Sequence, residues 1–222
     1  MLWDERVPEL EASDRHDEAP ELDAARRAAS DRECVAQAIA LGVAAGRALD
    51  VGCGSGRRAI LLASLAERMR VVGVDSSWAL IARALTAARE AGVAGRCTFV
   101  RADPKRLPLV SRRFDLVLCD GLLHHLDAAL PALNEVERTA SPAAAIFLRD
   151  LRRPRWLHAG LSALWLACGA RRANPAHAAS LRAAFTTDEL ADLVRRSRLR
   201  GVRVESSGLG HVVVVRRASH DR

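Results

Sequence analysis

The chain has 222 residues, half of them apolar, with 34 basic against 27 acidic residues and a formal net charge of +7. That length and apolar share exclude a disordered chain and a small disulfide scaffold, and fit one domain with a large core. The basic excess admits an anionic partner, such as RNA or an acidic small molecule, without requiring one.

Residues 1–24 are acidic (Asp4, Glu5, Glu9, Glu11, Asp14, Asp17, Glu18, Glu21, Asp23) and broken by Pro8 and Pro20, which predicts a loosely ordered arm ahead of a domain over 25–222. Residues 23–41 have helical spacing, with Cys34, Ala38 and Leu41 on one side. A short apolar strand over 47–53 runs into Gly52-Cys53-Gly54-Ser55-Gly56, and a helix is predicted over 57–68. Strand, glycine turn and helix open a nucleotide-binding α/β unit, because glycine lets the backbone come close to a ligand. A second buried strand over 70–74 ends at Asp75, and Ser76 or Ser77 caps a helix stopped by Gly92. Strands follow over 97–101, 114–119 and 144–148, with a helix over 126–140 between the last two. Strand–helix alternation at this interval means a parallel sheet with right-handed crossovers. The rhythm breaks over 151–185, where arginines and prolines surround an apolar helix with Trp156, Leu161, Leu164, Trp165 and Leu166. A helix over 187–198 and a strand pair over 201–205 and 211–216, joined through Gly208 and Gly210, complete the chain.

The glycine turn reads G-x-G-x-G, and Arg57 stands where the dinucleotide fingerprint G-x-G-x-x-G has its last glycine. The run Asp50-Val-Gly-Cys-Gly-Ser-Gly56 instead resembles the first motif of class I S-adenosylmethionine-dependent methyltransferases. Acids at the carboxyl ends of the next two strands extend the resemblance, at the sheet edge where open α/β folds bind ligands. By that resemblance Asp75 accepts the ribose hydroxyls. Asp103, in F-V-R-A-D, accepts the adenine amino group, while Ala102 and Pro104 flank the ring. The resemblance also places Gly52, Cys53, Gly54, Gly56 and Ser76 around the cofactor, and Asp120 at its methionine end. Asp50 reaches the amino group through water. The stretch Asp120-Gly-Leu-Leu-His124-His125-Leu is similar to the x-x-L-H-H-x segment of small-molecule methyltransferases. It makes His125, and secondarily His124, the candidates for a general base or for positioning the acceptor. One departure is Ser141-Pro142-Ala143-Ala144, where the family has Pro-Gly-Gly.

The resemblance covers roughly residues 25–217. It implies a Rossmann-like, doubly wound, mostly parallel seven-stranded sheet with an antiparallel last strand and a helical insertion after strand five. Residues 151–185 are expected to roof the acceptor pocket, with Trp156, Trp165, Arg152, Arg153 and Arg155 facing it. The expected reaction is methyl transfer from S-adenosylmethionine to a small-molecule acceptor by a monomer or homodimer. Three alternatives stay open: an RNA methyltransferase using the arginine-rich C-terminal half, an NAD-linked oxidoreductase, and a non-catalytic S-adenosylmethionine-binding relative. The five cysteines are scattered, with no C-x-x-C pair, which argues against a zinc site or a disulfide framework. Without the layout of a signal peptide or a bilayer-length apolar run, the expectation is a cytoplasmic protein with no membrane partner.

Overall fold

Three of the predicted strands run into an acid at the carboxyl end, Asp75, Asp103 and Asp120, and this places the polar edge of the molecule. The computed structural model describes residues 6, 21–153 and 175–219. In chain order the elements are α1 (Glu21–Ile39), β1 (Ala45–Val51), α2 (Arg57–Leu65), β2 (Arg68–Asp75), α3 (Trp78–Glu90), β3 (Cys97–Arg101) and β4 (Phe114–Asp120). A single 3₁₀ turn (Leu123–His125) leads to α4 (Ala129–Thr139), β5 (Ala140–Leu151), α5 (Pro175–Ala183), α6 (Thr187–Arg196), β6 (Arg203–Ser207) and β7 (His211–Arg216). The seven strands form one sheet in the order β3-β2-β1-β4-β5-β7-β6. Strands β1 to β5 pair in parallel, and β7 runs antiparallel to both β5 and β6.

The strand order reverses between β1 and β4, so the crevice at their carboxyl ends is where this kind of sheet takes a ligand. Both faces are covered. On one, Cys34, Val35 and Ala38 of α1 pack with Ala59 and Leu62 of α2 and Ile81 and Ala84 of α3. On the other, Leu133 and Val136 of α4 pack with Leu190 and Val194 of α6 against Leu49, Val117, Ile146 and Val214. Helix α6 is fixed at its start by a capping box, in which Thr186 and Glu189 exchange side-chain and backbone hydrogen bonds. Among the described residues no helix is long and apolar enough to cross a membrane.

Several boundaries differ from the sequence expectation. Helix α1 begins at Glu21, inside the arm expected over 1–24. Helix α2 stops at Leu65 and β2 starts at Arg68, because Met69 is fully buried and already in register with Gly46. The helix expected from 126 begins at Ala129, since a separate 3₁₀ turn occupies 123–125. Strand β5 runs through the Ser141-Pro142 departure and on to Leu151, with a register shift between Phe114 and Leu116 absorbing the irregularity. Of the insertion expected over 151–185, residues 154–174 lie outside the described residues. Trp156, Leu161, Leu164, Trp165, Leu166 and Arg155 lie outside them too.

Candidate active site at the carboxyl edge of the sheet

The glycine turn is stapled to the end of the neighbouring strand. The Gly52 and Cys53 amides donate to the Val74 carbonyl at 2.8 and 3.0 Å, which brings the turn beside Asp75. Gly54 (φ 56°) has nothing within 4 Å of where a Cβ would stand, so its backbone faces open space. Gly56 does the opposite job. A Cβ there would stand 2.8 Å from Ala84 and 2.9 Å from the Phe99 ring, so this glycine brings α2 close to α3 and β3. The Cys53 thiol is buried, which raises its pKa and keeps it protonated.

Asp75 is oriented by two backbone donors, Gly54 N–H to Oδ2 and Ser77 N–H to Oδ1, each at 2.9 Å. A carboxylate offers about four lone-pair sites. With two filled, the partly exposed Asp75 can still accept a vicinal diol. Ser76 beside it is exposed, and its carbonyl accepts from Arg101 Nε at 3.1 Å. The Ala102 amide donates to the Asp75 carbonyl at 2.9 Å, which sets Ala102 and Asp103 alongside. Asp103 is exposed; one of its oxygens accepts the Lys105 amide at 2.8 Å.

Beneath the turn lies a buried charge cluster. Asp50 is fully buried, and among the described residues neither of its carboxylate oxygens has a hydrogen-bond partner. Its nearest cation is Arg58 Nε at 4.0 Å. Burial pushes the Asp50 carboxyl up to about 6, against the pull of Arg58. Arg58 also reaches Asp31 at 3.2 Å and Asp120 at 3.5 Å; burial pulls its pKa down, but the surrounding carboxylates outweigh that and hold it charged. Asp120 is gripped bidentately by Arg149, with Nε–Oδ1 and Nη2–Oδ2 both 2.8 Å. Burial raises the Asp120 pKa and the two guanidiniums lower it, with a net fall. Arg57, at the position where a dinucleotide site has glycine, instead pairs with Asp31 at 2.8 Å and ties α2 to α1.

The turn after β4 carries the two histidines. His124 is buried, and its Nδ1 lies 2.5 Å from Asp150 Oδ1. The His124 amide donates to the other Asp150 oxygen at 3.1 Å. An ionised carboxylate only accepts, so the proton sits on Nδ1 and Nε2 is the basic nitrogen. The His125 ring is tilted against that of His124, with centroids 4.0 Å apart. Arg153 is buried and salt-bridged to Glu189, while Arg152 bonds Ser206 and the Leu209 carbonyl. Both are thus engaged in holding the fold together.

The structure brings Gly52, Cys53, Gly54, Gly56, Asp75, Ser76, Ala102 and Asp103 together on one side of the crevice, with Asp50 and Asp120 beneath it and His124 and His125 one strand further on. Sequence reasoning missed Asp31, Arg58, Arg149 and Asp150. Arg149 and Asp150 had a signal, as adjacent charges in an otherwise apolar strand.

The site fits S-adenosylmethionine on two observations of this chain. The open side of Gly54 leaves room for a ligand against bare backbone, and the orphaned Asp50 carboxylate supplies negative charge under the turn, suited to a cationic amino acid tail. An open, nearly all-parallel sheet with a glycine turn and acids at successive strand ends defines a nucleoside-binding α/β protein. Residues 48–143 match the model of the methyltransferase domain family. The 27-O-demethylrifamycin SV methyltransferase of Amycolatopsis mediterranei is 34% identical over 104 residues, 47% of this chain and 38% of that protein. The demethylmenaquinone methyltransferase of a Roseiflexus species is 30% identical over 127 residues, 56% of this chain and 52% of its own length. The chain thus spans about half or less of the length of these relatives. The crystal structure of an S-adenosylmethionine-dependent methyltransferase from Aquifex aeolicus superposes with a TM-score of 0.59 at 20% identity, covering 77% of this chain and 80% of that one. Residues 48–143 thus carry the methyltransferase-domain match, and the fold is that of S-adenosylmethionine-dependent methyltransferases.

Proposed function

We propose that the chain transfers a methyl group from S-adenosylmethionine to a small-molecule acceptor by in-line displacement. The observation that carries this reading is the pairing of two preset groups on one sheet edge. Asp75 is held by the Gly54 and Ser77 amides with lone pairs left over that suit a ribose, and His124 is held by Asp150 in the turn after β4, the strand next to β1. The names of the two curated relatives, a rifamycin and a menaquinone methyltransferase, support the small-molecule class of acceptor.

The bound donor supplies an electrophilic methyl on a positively charged sulfur. The protein's share is then alignment, for which preorganisation contributes on the order of 7–11 kcal/mol in favourable cases, and removal of the acceptor's proton. Asp103 holds the adenine amino group and Ala102 flanks the ring. Asp120, clamped by Arg149, shapes the methionine end. His124 Nε2 takes the proton of a hydroxyl acceptor, and Asp150 stabilises the imidazolium that forms. His125, stacked beside it, positions the acceptor.

Turnover is tested by incubating the protein with S-adenosylmethionine and a panel of phenols, quinols and carboxylic acids, and following S-adenosylhomocysteine release. His124→Asn and Asp150→Asn are each expected to slow turnover by about 10²- to 10⁴-fold, the usual contribution of a general base, with donor affinity nearly intact. Release unaffected by either substitution contradicts the assigned base. No release with any acceptor, despite donor binding, contradicts the enzymatic reading.

A further inference from the structure

Of the first twenty residues the structure describes Arg6, and its place is specific. Its Nε donates to the Ala183 carbonyl at 2.7 Å. Its Nη2 lies 3.2 Å from the Leu123 carbonyl, 3.3 Å from that of His124 and 2.7 Å from that of Leu126. The guanidinium also sits over the Phe185 ring, 4.1 Å from its centroid. One side chain therefore collects carbonyls from two helix ends, the 3₁₀ turn that carries both histidines and the last residue of α5.

Both ends need such a partner. The final carbonyls of a helix have no intrahelical donor and favour a cation. A lone 3₁₀ turn closes too few hydrogen bonds to hold its own shape. The turn is anchored from the sheet side by Asp150, which takes both the amide and the ring of His124. Arg6 anchors it from the other side. Next along the chain, the Ala184 carbonyl is taken by Arg153 Nε at 3.2 Å, and Arg153 is bound to Glu189. Two guanidiniums from distant parts of the sequence thus fix consecutive carbonyls between α5 and α6.

We propose that Arg6 is a positioning residue for the methyl-transfer site: by clasping the 123–126 carbonyls to Ala183 and Phe185 it keeps His124 in line with Asp150. The proposal rests on the functional reading above and adds to it a role for the segment ahead of α1. Without Arg6, the His124 and Leu126 carbonyls lose this donor while Leu123 keeps the Leu126 amide, and the turn can rotate away from the sheet, lengthening the His124–Asp150 contact.

The test needs no acceptor. An imidazole N–H donating to a carboxylate at this distance gives a far-downfield proton resonance, assigned to His124 by its absence in His124→Asn. Arg6→Ala is expected to broaden or move that resonance upfield, while affinity for S-adenosylhomocysteine changes by less than about threefold, under 1 kcal/mol. Arg6→Lys keeps the charge but replaces the planar fork with a single ammonium, so its resonance should lie between the two, and it answers the question if Arg6→Ala does not fold. A resonance unchanged in both variants overturns the proposal. Failure of the wild-type protein to bind S-adenosylhomocysteine would instead strike at the methyltransferase reading and leave the His124 signal as a separate result.

Discussion

Asp50 is the residue whose environment is hardest to satisfy. It is fully buried, lacks hydrogen-bond donors among the described residues, and has a carboxyl pushed up to about 6 from an ordinary 3.8. A raised carboxyl pKa means the folded protein keeps a proton that the unfolded chain has released between about pH 4 and 6. Stability from this group therefore falls as pH rises through that window. Once it is fully ionised, the penalty is on the order of 2–3 kcal/mol, at about 1.4 kcal/mol per pH unit. Asp50→Asn is expected to be more stable than wild type in urea at about pH 7.5, with the gap closing near pH 4, where both side chains are neutral. A wild type that stays the more stable protein at the higher pH would mean the attraction of Arg58 outweighs the cost of burial. At this scale the acids at strand ends were legible, because an open parallel sheet binds its ligand at that edge and so gives their positions a meaning. The guanidiniums that answer them were not. In a chain with a single lysine and arginines throughout, Arg58 and Arg149 carry no compositional signal, and their partners lie far along the sequence: Asp31 and Asp120 for the first, Ser30 and Asp120 for the second.

Among the elements, the turn between β1 and α2 sets the tolerance of the site. Gly56 adopts φ 80°, and a Cβ would press on Ala84 and Phe99 at under 3 Å. Gly56→Ala combines a left-handed backbone, costing about 1 kcal/mol, with overpacking, costing about 1–3 kcal/mol. A loss of about 2–4 kcal/mol is expected in urea denaturation. A loss below about 0.5 kcal/mol would show that α2 and α3 can separate to admit the methyl group. Apolar runs and glycine stops disclosed the existence and order of these elements, since buried parallel strands leave continuous hydrophobic stretches. Their ends were less legible. The helix expected from 126 begins three residues later, at Ala129, and the 3₁₀ turn over 123–125 ahead of it was not anticipated. Its true separateness comes from Asp150 and Arg6, partners that local sequence does not reveal.

Across the whole molecule, a few of the many arginines among the described residues work as internal scaffolding while most are exposed. Arg58, Arg149 and Arg153 are inside the fold, and Arg138 collects the Leu107 and Leu109 carbonyls while pairing with Glu135. In the C-terminal stretch, the exposed Arg195 and Arg196 pair with Asp192, and Arg203 with Glu205. The central claim is that this sheet edge holds the donor through Asp75. Calorimetric titration of the wild-type protein and Asp75→Ala with S-adenosylhomocysteine tests it directly. The account predicts saturable one-to-one binding to the wild type, weakened about 10- to 100-fold in the variant by loss of charged hydrogen bonds. No heat of binding with the wild type, or equal affinity in both proteins, would contradict it.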